Sequence, residues 1–189
     1  MQLISIGKIQ IIPIIGNIKH FKKLNYLQYR IEMNMIKKIE NSDIDTLINL
    51  LETTAPEQIQ FVKGPYFKHG ENVSFGWYEE NEFIGCIRYC IQEIGTEQKT
   101  PLIRHNNRAL TEAKINVFAV KAEFRNRNIG KKLQQHVIED AKYRGCSQLS
   151  SYSTYDKVEN YAVKIALGFC VQPETQPDGT MGCYFIMKL

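Results

Sequence analysis

Apolar and polar residues alternate along several segments of the chain, and this pattern predicts a series of strands. Val73, Phe75 and Trp77 alternate with polar neighbours in "VSFGWYE", which indicates a half-buried strand. The turn "EENE" follows, and "FIGCIRYCI" then predicts the next strand. Further strands are predicted for "MIKKIE", "KINVFAV" (114–120), "SQLSSYS" and a closing hairpin of "FCVQPE" and "GCYFIMKL", with Pro177-Asp178-Gly179 in its turn.

Helical spacing marks the segments between these strands. In "NSDIDTLINLLE" we expect a helix with Ser42 as its N-cap and Asp45 three residues later. "PEQIQFVKGPYFKHG" predicts a short helix and a loop, broken at Gly64-Pro65. "KVENYAVKIAL" predicts a helix that ends at Gly168. The best-marked helix carries one apolar stripe and ends at Gly145; the stripe consists of Ile129, Leu133, Val137 and Ala141.

This order of elements predicts a mixed α/β sheet with helices on both faces. The polar segment 94–111 is long enough to be a functional loop. Residues 1–32 are rich in isoleucine and lysine without a clean period. They are either an added strand or arm, or an extension upstream of a start at Met33 or Met35. We therefore expect one domain over residues 33–189 and an N-terminal extension of unknown role over residues 1–32.

Composition narrows the class of protein. With 189 residues, 43% hydrophobic and 23% charged, the chain suits one soluble domain with a modest extra segment. Five scattered cysteines form no CxxC pair and have no nearby histidine, so we expect no metal site and a reducing cytoplasm. The apolar stretch from Ile9 to Ile18 is shorter than the about 20 residues that span a bilayer, so we expect no membrane segment.

Positive charge is concentrated in one segment. The whole chain has a formal net charge of +4. Residues 121–132 alone carry five basic residues against Glu123, so the rest of the chain is neutral overall. A single cationic patch points to a compact anion rather than a long nucleic acid track, and no aromatic-interleaved RNA motif is present. We therefore expect no nucleic acid partner; a solvated basic loop is the plain alternative.

The basic loop joins a predicted strand to a predicted helix, and this arrangement is a general anion site. The first amides of a helix lack intrahelical partners, and the helix dipole adds positive potential. Gly130 allows close approach to the backbone, and Asn128 either caps the helix or adopts a left-handed conformation. A Walker loop would need glycine at 125 and Ser or Thr at 132, and no Rossmann GxGxxG is present.

The remaining pattern is Arg125-x-x-Asn128-x-Gly130, and here the chain resembles the GCN5-related N-acetyltransferase (GNAT) family. Their motif is [RQ]-x-x-G-x-[GA] after a strand that ends in a V-x-P-like step. Val120, Arg125 and Gly130 are in place, Ala122 stands where proline is common, and Asn128 replaces the middle glycine. The resemblance covers roughly residues 35–189 and includes "ALGF" (166–169) and the terminal "YFIMKL".

The resemblance implies an acyl-CoA site in a GNAT-like fold, which is a mixed, mostly antiparallel central sheet with helices on both faces and a splayed fourth and fifth strand. Pantetheine would lie in that gap, with backbone contacts from Phe118 and Val120. The co-substrate would be acetyl-CoA, with no metal. The pyrophosphate would be bound by backbone amides and by the lysine that follows them, namely Arg125, Asn126, Arg127, Asn128, Ile129, Gly130 and Lys131.

The catalytic groups fit the family less well. Acetyl transfer removes a proton from the acceptor ammonium, whose pKa is about 10, and delivers one to the CoA thiolate. The family's tyrosine donor usually lies four residues before the Gly-Phe step, where this chain has Lys164. Tyr161, roughly on the same helix face, is the candidate donor and Tyr155 the second choice. The alternative is that Tyr161 only packs.

The base is also displaced from the family pattern. Some relatives carry a glutamate six residues before the equivalent of Val120, where this chain has Lys114. The base would then be an ordered water, Glu112, or the acidic turn formed by Glu79, Glu80 and Glu82.

The acceptor would be an amine on a small molecule, a protein or a peptide, and a homodimer is left open. Tyr66, Phe67, Trp77 and the acidic turn are candidates for the acceptor cleft, although the turn could equally be an ordinary polar hairpin tip. The reaction implied is N-acyl transfer from acetyl-CoA. The alternative is a non-catalytic acyl-CoA-binding sensor or interaction module, which Lys164 and Lys114 at the catalytic positions favour.

Overall fold

The computed structural model of the chain describes residues 35–64, 66–67, 70–96 and 100–189. The predictions for residues 1–32, for a start at Met33, and for Pro65 lie outside the described residues. Every strand and helix predicted from "MIKKIE" to the C-terminus is found, with boundaries shifted by a few residues.

The strands are β1 (Ile36–Ile39), β2 (Glu71–Glu79), β3 (Glu82–Glu93), β4 (Arg104–His105), β5 (Arg108–Ala109), β6 (Thr111–Val120), β7 (Gln148–Thr154), β8 (Cys170–Thr175) and β9 (Met181–Lys188). The helices are α1 (Ile44–Thr54), α2 (Gln60–Lys63), α3 (Ile129–Tyr143) and α4 (Val158–Ala166). Short 3-10 turns lie at Asn41–Asp43, Pro56–Gln58 and Ala122–Phe124.

Seven strands form one sheet in the order β1-β2-β3-β6-β7-β9-β8. Every neighbouring pair is antiparallel except β6 and β7, which are parallel. This topology confirms the mixed, mostly antiparallel sheet expected from the sequence. The predicted functional loop 94–111 contains the small separate hairpin of β4 and β5, so part of it is regular structure.

The helices bury apolar stripes on both faces of the sheet, as predicted. Leu133, Val137 and Ala141 of α3 are fully buried in one core cluster, with Ile115 of β6. Leu47 and Leu51 of α1 belong to a second cluster, packed with Val117 and Ala119 of β6. Burying each such aliphatic side chain stabilises the fold by about 1.5–3 kcal/mol, so both faces of β6 are firmly anchored.

The start of α1 differs from the prediction. Ser42 lies in the 3-10 turn Asn41–Asp43, and Asp43 takes the N-cap position. No side chain caps the helix, so the prediction that Ser42 is the N-cap is wrong. The chain enters α1 through a backbone turn instead, in which the Asp43 N–H donates to the Glu40 carbonyl at 2.9 Å.

The parallel strands β6 and β7 pair over only four positions, from Glu112 opposite Gln148 to Ile115 opposite Ser151. Directly after Ile115, β6 carries a bulge at Asn116, because Ile115 pairs with Tyr89 of β3 and Val117 already pairs with Arg88. A bulge bends the strand that carries it. The two strands therefore separate beyond Ile115 and Ser151, and we call this opening the fork. It is the splayed strand pair that the resemblance implied.

Candidate functional site

The basic loop reaches α3 through two left-handed asparagines. Asn126 and Asn128 both have a φ of 61°. Asn128 directly precedes α3, and its side chain makes no capping hydrogen bond. Of the two roles that the sequence left open, the left-handed backbone is therefore the one found. Asparagine tolerates this conformation better than most residues, which explains how it can replace the glycine of the family motif.

The first turn of α3 presents backbone donors. The intrahelical ladder starts with the Lys132 N–H, which donates to the Asn128 carbonyl at 3.0 Å. The amides of Ile129, Gly130 and Lys131 precede it and have no intrahelical acceptor. Because α3 is 15 residues long, its dipole adds positive potential at this end. This end of the helix can hold an anion.

The loop's basic side chains are partly neutralised by the acidic turn between β2 and β3. Arg127 forms an ion pair with Glu79 at 2.8 Å, and Lys121 forms one with Glu82 at 2.6 Å. Arg125 instead donates from Nε to the carbonyl of Val120 at 3.1 Å. Glu79 and Glu82 therefore hold the loop in place. This supports the ordinary structural interpretation of the acidic turn over a role in the acceptor cleft.

Phe118 of β6 packs against the first turn of α3. A Cβ added to Gly130 would lie 2.7 Å from Cζ of the Phe118 ring, which is closer than side chains approach. A larger residue at 130 would therefore displace the Phe118 ring, so packing favours glycine here in addition to the close ligand approach predicted from the sequence. The contact ties the fork-facing end of β6 to the anion-binding end of α3.

The side chain of Gln58 occupies the fork-facing edge of β6. The Phe118 N–H donates to Gln58 Oε1 at 2.8 Å, and Gln58 Nε2 donates to the Phe118 carbonyl at 3.3 Å. The Val120 carbonyl is bonded to Arg125. The backbone groups assigned to pantetheine by resemblance thus have partners within the protein. No local sequence signal could reveal Gln58, because it lies 60 residues from Phe118.

Asn116, the bulged residue, marks the point where the fork opens. Its side-chain Nδ2 and Oδ1 are buried and have no hydrogen-bond partner among the described residues. A buried amide without partners is costly, and such groups commonly meet a ligand or water. The signal in the sequence was an amide inside the apolar strand "KINVFAV", which was not singled out there.

Lys164 of α4 lies at the closed end of the fork. Its side chain is 1% exposed, and Nζ donates to Ser151 Oγ at 2.8 Å and to Ser153 Oγ at 2.7 Å. Nζ also lies 4.5 Å from the centroid of the Phe185 ring. Desolvation lowers the pKa of this lysine to about 7. Lys164 was recognised in the sequence as standing at the family's tyrosine position, whereas its surroundings follow only from the fold.

A line of buried polar groups continues from Ser153 to α3. Asn160 of α4 donates from Nδ2 to Ser153 Oγ at 2.9 Å, and Gln134 of α3 donates from Nε2 to Asn160 Oδ1 at 3.0 Å. These bonds fix α4 relative to both α3 and β7. They hold Ser153, one of the two serines that accept a hydrogen bond from Lys164.

The two predicted catalytic tyrosines have different environments. Tyr161 donates from its hydroxyl to the Ser153 carbonyl at 2.9 Å and packs edge-to-face on Phe185. The pKa of Tyr161 is raised mainly by desolvation and further by a hydrogen bond with Cys183. Tyr155 is 48% exposed, with its ring 6.5 Å from that of Tyr161. The fold thus brings Tyr161 to the end of β7 near Lys164 and leaves Tyr155 at the surface.

Glu112, a candidate base, is a buried structural carboxylate. Its oxygens accept hydrogen bonds from Gln92 Nε2 at 3.0 Å, Gln148 Nε2 at 3.0 Å and Ser150 Oγ at 2.7 Å. It lies where the pairing of β6 and β7 begins, and the fork opens only after Ile115. Through these hydrogen bonds Glu112 of β6 links strands β3 and β7, which is a structural role.

The proposed acceptor-cleft residues separate into buried and exposed groups. Trp77 is 2% exposed and belongs to the core, with Nε1 donating to Glu79 Oε1 at 3.2 Å. Tyr66 is 51% exposed. The Phe67 ring lies 5.7 Å from Lys114 Nζ, and desolvation lowers the pKa of Lys114 to about 8. Trp77 is therefore unsuited to direct acceptor contact.

The described part of the chain contains no cluster of three His, Cys, Asp or Glu side chains placed to hold a metal ion. None of its helices combines the length and apolar character needed to cross a bilayer. All five cysteines are free thiols. A shallow depression of about 540 Å³, lined by residues including His105 and Ser147, lies beside the start of β6 and away from the fork.

Comparison with known proteins identifies the same architecture elsewhere. The sequence model of the acetyltransferase (GNAT) family matches residues 39–169. No curated protein matches significantly. Among solved structures, Arabidopsis thaliana NAA60 in complex with acetyl-CoA aligns with a TM-score of 0.61 at 17% identity, covering 82% of this chain and 97% of that one.

Two bacterial structures align similarly. The IAA acetyltransferase from Bacillus cereus has a TM-score of 0.57 and 19% identity, covering 82% of this chain and 98% of that chain. The ribosomal-protein-S18-alanine N-acetyltransferase from Escherichia coli has a TM-score of 0.55 and 15% identity, with 82% and 91% covered. At these identities the likeness establishes the fold.

Proposed function

The chain belongs to the acetyltransferase (GNAT) family, and on that premise we propose that it transfers an acetyl group directly from acetyl-CoA to an amine. The observation that carries the proposal is the fork between β6 and β7, which lies beside the α3 amides that have no intrahelical acceptor. The strand-like gap suits pantetheine, and the helix start suits a pyrophosphate.

The pyrophosphate site consists of the amides of residues 125–130, followed by Lys131. Arg125, Asn126, Arg127 and Asn128 are exposed. The Arg125 N–H donates to the Ala122 carbonyl at 3.2 Å, so it would exchange this acceptor for the anion. The positive φ angles of Asn126 and Asn128 support the turn that leads into α3. Gly130 leaves the first helical turn without a Cβ. These features support binding of the diphosphate mainly by backbone donors, with Lys131 adding charge.

The pantetheine site is the edge of β6 at Phe118 and Val120. Both residues have backbone groups on the side away from β3, where they bond to Gln58 and Arg125. An extended amide chain that enters the fork would take over these bonds as an added strand does. The Gln58 amide already has this geometry, so the proposal requires it to move aside.

The reaction would take place where the fork closes. Holding the amine against the thioester supplies much of the rate, and hydrogen bonds to the developing oxyanion supply more. Asn116 offers an uncommitted side-chain amide at the bulge. Tyr161 stays a candidate proton donor, with Tyr155 second, although the hydroxyl of Tyr161 is bonded to Ser153. An ordered water would serve as the base, and no step requires a metal.

The acceptor is an amine of a small molecule, a protein or a peptide. The similar structures include enzymes named for a ribosomal-protein alanine and for IAA, which is why both classes belong in the test. We place the activity in the cytoplasm, in keeping with the five free thiols, and in residues 33–189. Residues 1–32 would be an accessory extension, and a homodimer stays open.

A non-catalytic acyl-CoA-binding module is the second candidate. It is favoured by Lys114, which stands where some relatives carry a glutamate base and lies against the rings of Phe67 and Tyr184. This alternative keeps the CoA site and removes the turnover.

One set of measurements tests both candidates. Calorimetry with CoA and acetyl-CoA measures binding, and thiol release with a panel of small amines and peptide N-termini measures turnover. We expect both binding and turnover. Binding without turnover on any acceptor would favour the module, and absence of binding by folded protein would overturn both. Lys142→Met changes an exposed lysine at the far end of α3, and it is the control variant for both the binding and the turnover measurements.

A further inference from the structure

We propose that Lys164 is the proton donor to the departing CoA thiolate, in place of the tyrosine that relatives carry at this position. The inference deepens the proposed function and rests on it. The geometry that carries it is the double hydrogen bond from Lys164 Nζ to Ser151 Oγ and Ser153 Oγ, at 2.8 and 2.7 Å.

These bonds place the ammonium where the fork closes. Ser151 is the last residue of β7 that pairs with β6, through Ile115, and the bulge at Asn116 follows immediately on the other strand. A pantetheine arm that runs from the start of α3 along Phe118 would bring its sulfur toward this point. Lys164 therefore lies at the end of the fork that the thioester would reach.

The ammonium also has donor capacity in reserve. A lysine has three N–H groups, and the serines accept two of them. The third N–H group is available for a ligand, and the Phe185 ring lies beside the ammonium with its centroid 4.5 Å from Nζ. Asn160 and Gln134 hold Ser153 in turn, so the lysine is fixed in position before any ligand binds.

The surroundings allow Lys164 to exchange a proton near neutral pH. The groups that contact it are Ser151 and Ser153 from β7 and Phe185 from β9. The nearest titratable side chains around this cluster are Tyr161, which bonds to the Ser153 carbonyl, and Cys183, which interacts with Tyr161. Its hydrogen-bond partners are hydroxyls, and within residues 35–64, 66–67, 70–96 and 100–189 no carboxylate pairs with it. Burial lowers the pKa of Lys164 to about 7. A proton donor whose pKa lies near the working pH is favourable for general acid catalysis. The pKa of Lys164 also lies below that of a free thiol, which is about 8.5, so proton transfer to the thiolate is downhill.

A purely structural role explains these contacts less well. Burying an ammonium without a carboxylate partner costs stability, whereas methionine would fill a similar volume without that cost. Perturbed, desolvated ionisable groups in a cleft are typical of functional sites. Ser151 and Ser153 stabilise the charged form of Lys164, which a proton donor needs during part of the reaction cycle.

The proposed step balances atoms and charge. The acceptor ammonium first loses one proton to water, and the neutral amine nitrogen then forms a bond to the acetyl carbon. The C–S bond breaks with its electron pair on sulfur. The Lys164 ammonium gives one proton to that sulfur and becomes a neutral amine. The acceptor nitrogen loses one proton as it becomes an amide, and this proton restores the ammonium through solvent.

Three substitutions at one position separate donor, charge and packing. Lys164→Met removes the amine, Lys164→Arg keeps a cation that does not titrate, and Lys164→Tyr restores the family's donor. Lys142→Met is the matched lysine control, exposed near the end of α3. Circular dichroism and CoA calorimetry first establish that each variant folds and binds.

The deciding readout does not require turnover. The pKa of the bound CoA thiol is measured from its thiolate absorbance over a pH series. We expect Lys164→Arg to lower this pKa by about one unit, because arginine stays charged at the pH where the thiol titrates. We expect Lys164→Met to leave it near the wild-type value, because Lys164 is already largely neutral at that pH. In steady-state assays, we expect kcat to fall about 100-fold in the Lys164→Met and Lys164→Arg variants. We expect it to recover partly in Lys164→Tyr.

The outcomes separate the two levels of the argument. If the wild type neither binds CoA nor acetylates any amine, the proposed function fails and this inference fails with it. If the wild type binds CoA while Lys164→Arg leaves the thiol pKa unchanged, position 164 does not face the sulfur; Lys164 is then not the donor, and the function stands. A kcat within twofold of wild type in Lys164→Met has the same meaning. Loss of CoA binding in Lys164→Tyr as well as Met would assign the lysine a structural role.

Discussion

The side-chain amide of Gln58 is paired with both backbone groups of Phe118, as a neighbouring strand would be. Its Oε1 lies 2.8 Å from the Phe118 amide nitrogen and its Nε2 lies 3.3 Å from the Phe118 carbonyl oxygen. Gln58 lies in the 3-10 turn Pro56–Gln58, outside the sheet. A single side chain thereby satisfies the β6 edge that the fork leaves unpaired, at the position proposed for pantetheine.

Gln58→Ala should therefore bind CoA more tightly. Each of the two hydrogen bonds contributes about 1 kcal/mol net, so removing the competing amide should tighten binding by up to about 30-fold. Calorimetry with CoA measures the change. Gln60→Ala is the matched control, since Gln60 Nε2 bonds only to the nearby Glu57 carbonyl. Weaker binding by Gln58→Ala would mean that the amide contacts the ligand rather than yielding to it.

Gly130→Ala should destabilise the protein despite the higher helix propensity of alanine. The new Cβ would meet the Phe118 ring at 2.7 Å. Overpacking costs about 1–3 kcal/mol, and alanine returns up to about 1 kcal/mol inside a helix, so we expect a net loss of about 1 kcal/mol. Urea unfolding measures it. The double variant with Phe118→Leu should lose less than the sum of the single changes; strict additivity would contradict the clash.

The sequence predicted those features of the fold that depend on neighbouring residues. Alternation located β2 and β3, and the four-residue recurrence located α3, because burial of one face imposes these periods. Asn128 was predicted to cap the helix or to turn left-handed, and local backbone sterics selected the second. Ser42 was misassigned because capping residues are common near helix starts, and here a backbone turn replaces the cap.

Contacts between distant residues lay beyond such reasoning. Arg127 and Glu79 are 48 residues apart, and Lys121 and Glu82 are 39 apart, so the sequence showed a basic patch without its acidic partners. Lys164 was visible as a departure from the family pattern. Only the three-dimensional arrangement reveals that its ammonium is desolvated and bonded to two serines.

Replacing Asn128 should separate backbone conformation from side-chain chemistry. Because Asn128 has a φ of 61° and no capping bond, Asn128→Gly should preserve stability and CoA binding. Asn128→Ala should lose about 1 kcal/mol of unfolding free energy and bind CoA more weakly, since alanine is strained there. Gln135→Ala on the exposed face of α3 is the control. Equal behaviour of the glycine and alanine variants would show that the left-handed conformation does not matter.

A chain limited to residues 33–189 should fold and bind CoA like the full chain. Residues 35–189 form a compact unit that has two hydrophobic core clusters of its own, and the family match lies within 39–169. Urea unfolding and CoA calorimetry of the two chains side by side measure the difference. A shortened chain that folds but binds CoA more than tenfold more weakly would instead give residues 1–32 a part in the site.

The burial of Lys164 should appear as a pH dependence of stability. The pKa of its ammonium falls from 10.5 in the unfolded chain to about 7 in the fold. Between these values the unfolded chain binds more protons, so the free energy of unfolding should rise as the pH increases from about 7 toward 10. Over that interval we expect a gain of about 2–4 kcal/mol, which Lys164→Met should lack.

The difference between wild type and Lys164→Met isolates this residue. Lys114, whose pKa is lowered to about 8, adds a rise of the same sign to both proteins, and it cancels when the two curves are subtracted. Near pH 7 the methionine variant should be the more stable protein, because it avoids burying a charge. Urea unfolding at a series of pH values provides both curves. Parallel curves would show that Lys164 keeps its ordinary pKa in the fold, and the proton donor proposed for the fork would then lack its driving force near neutral pH.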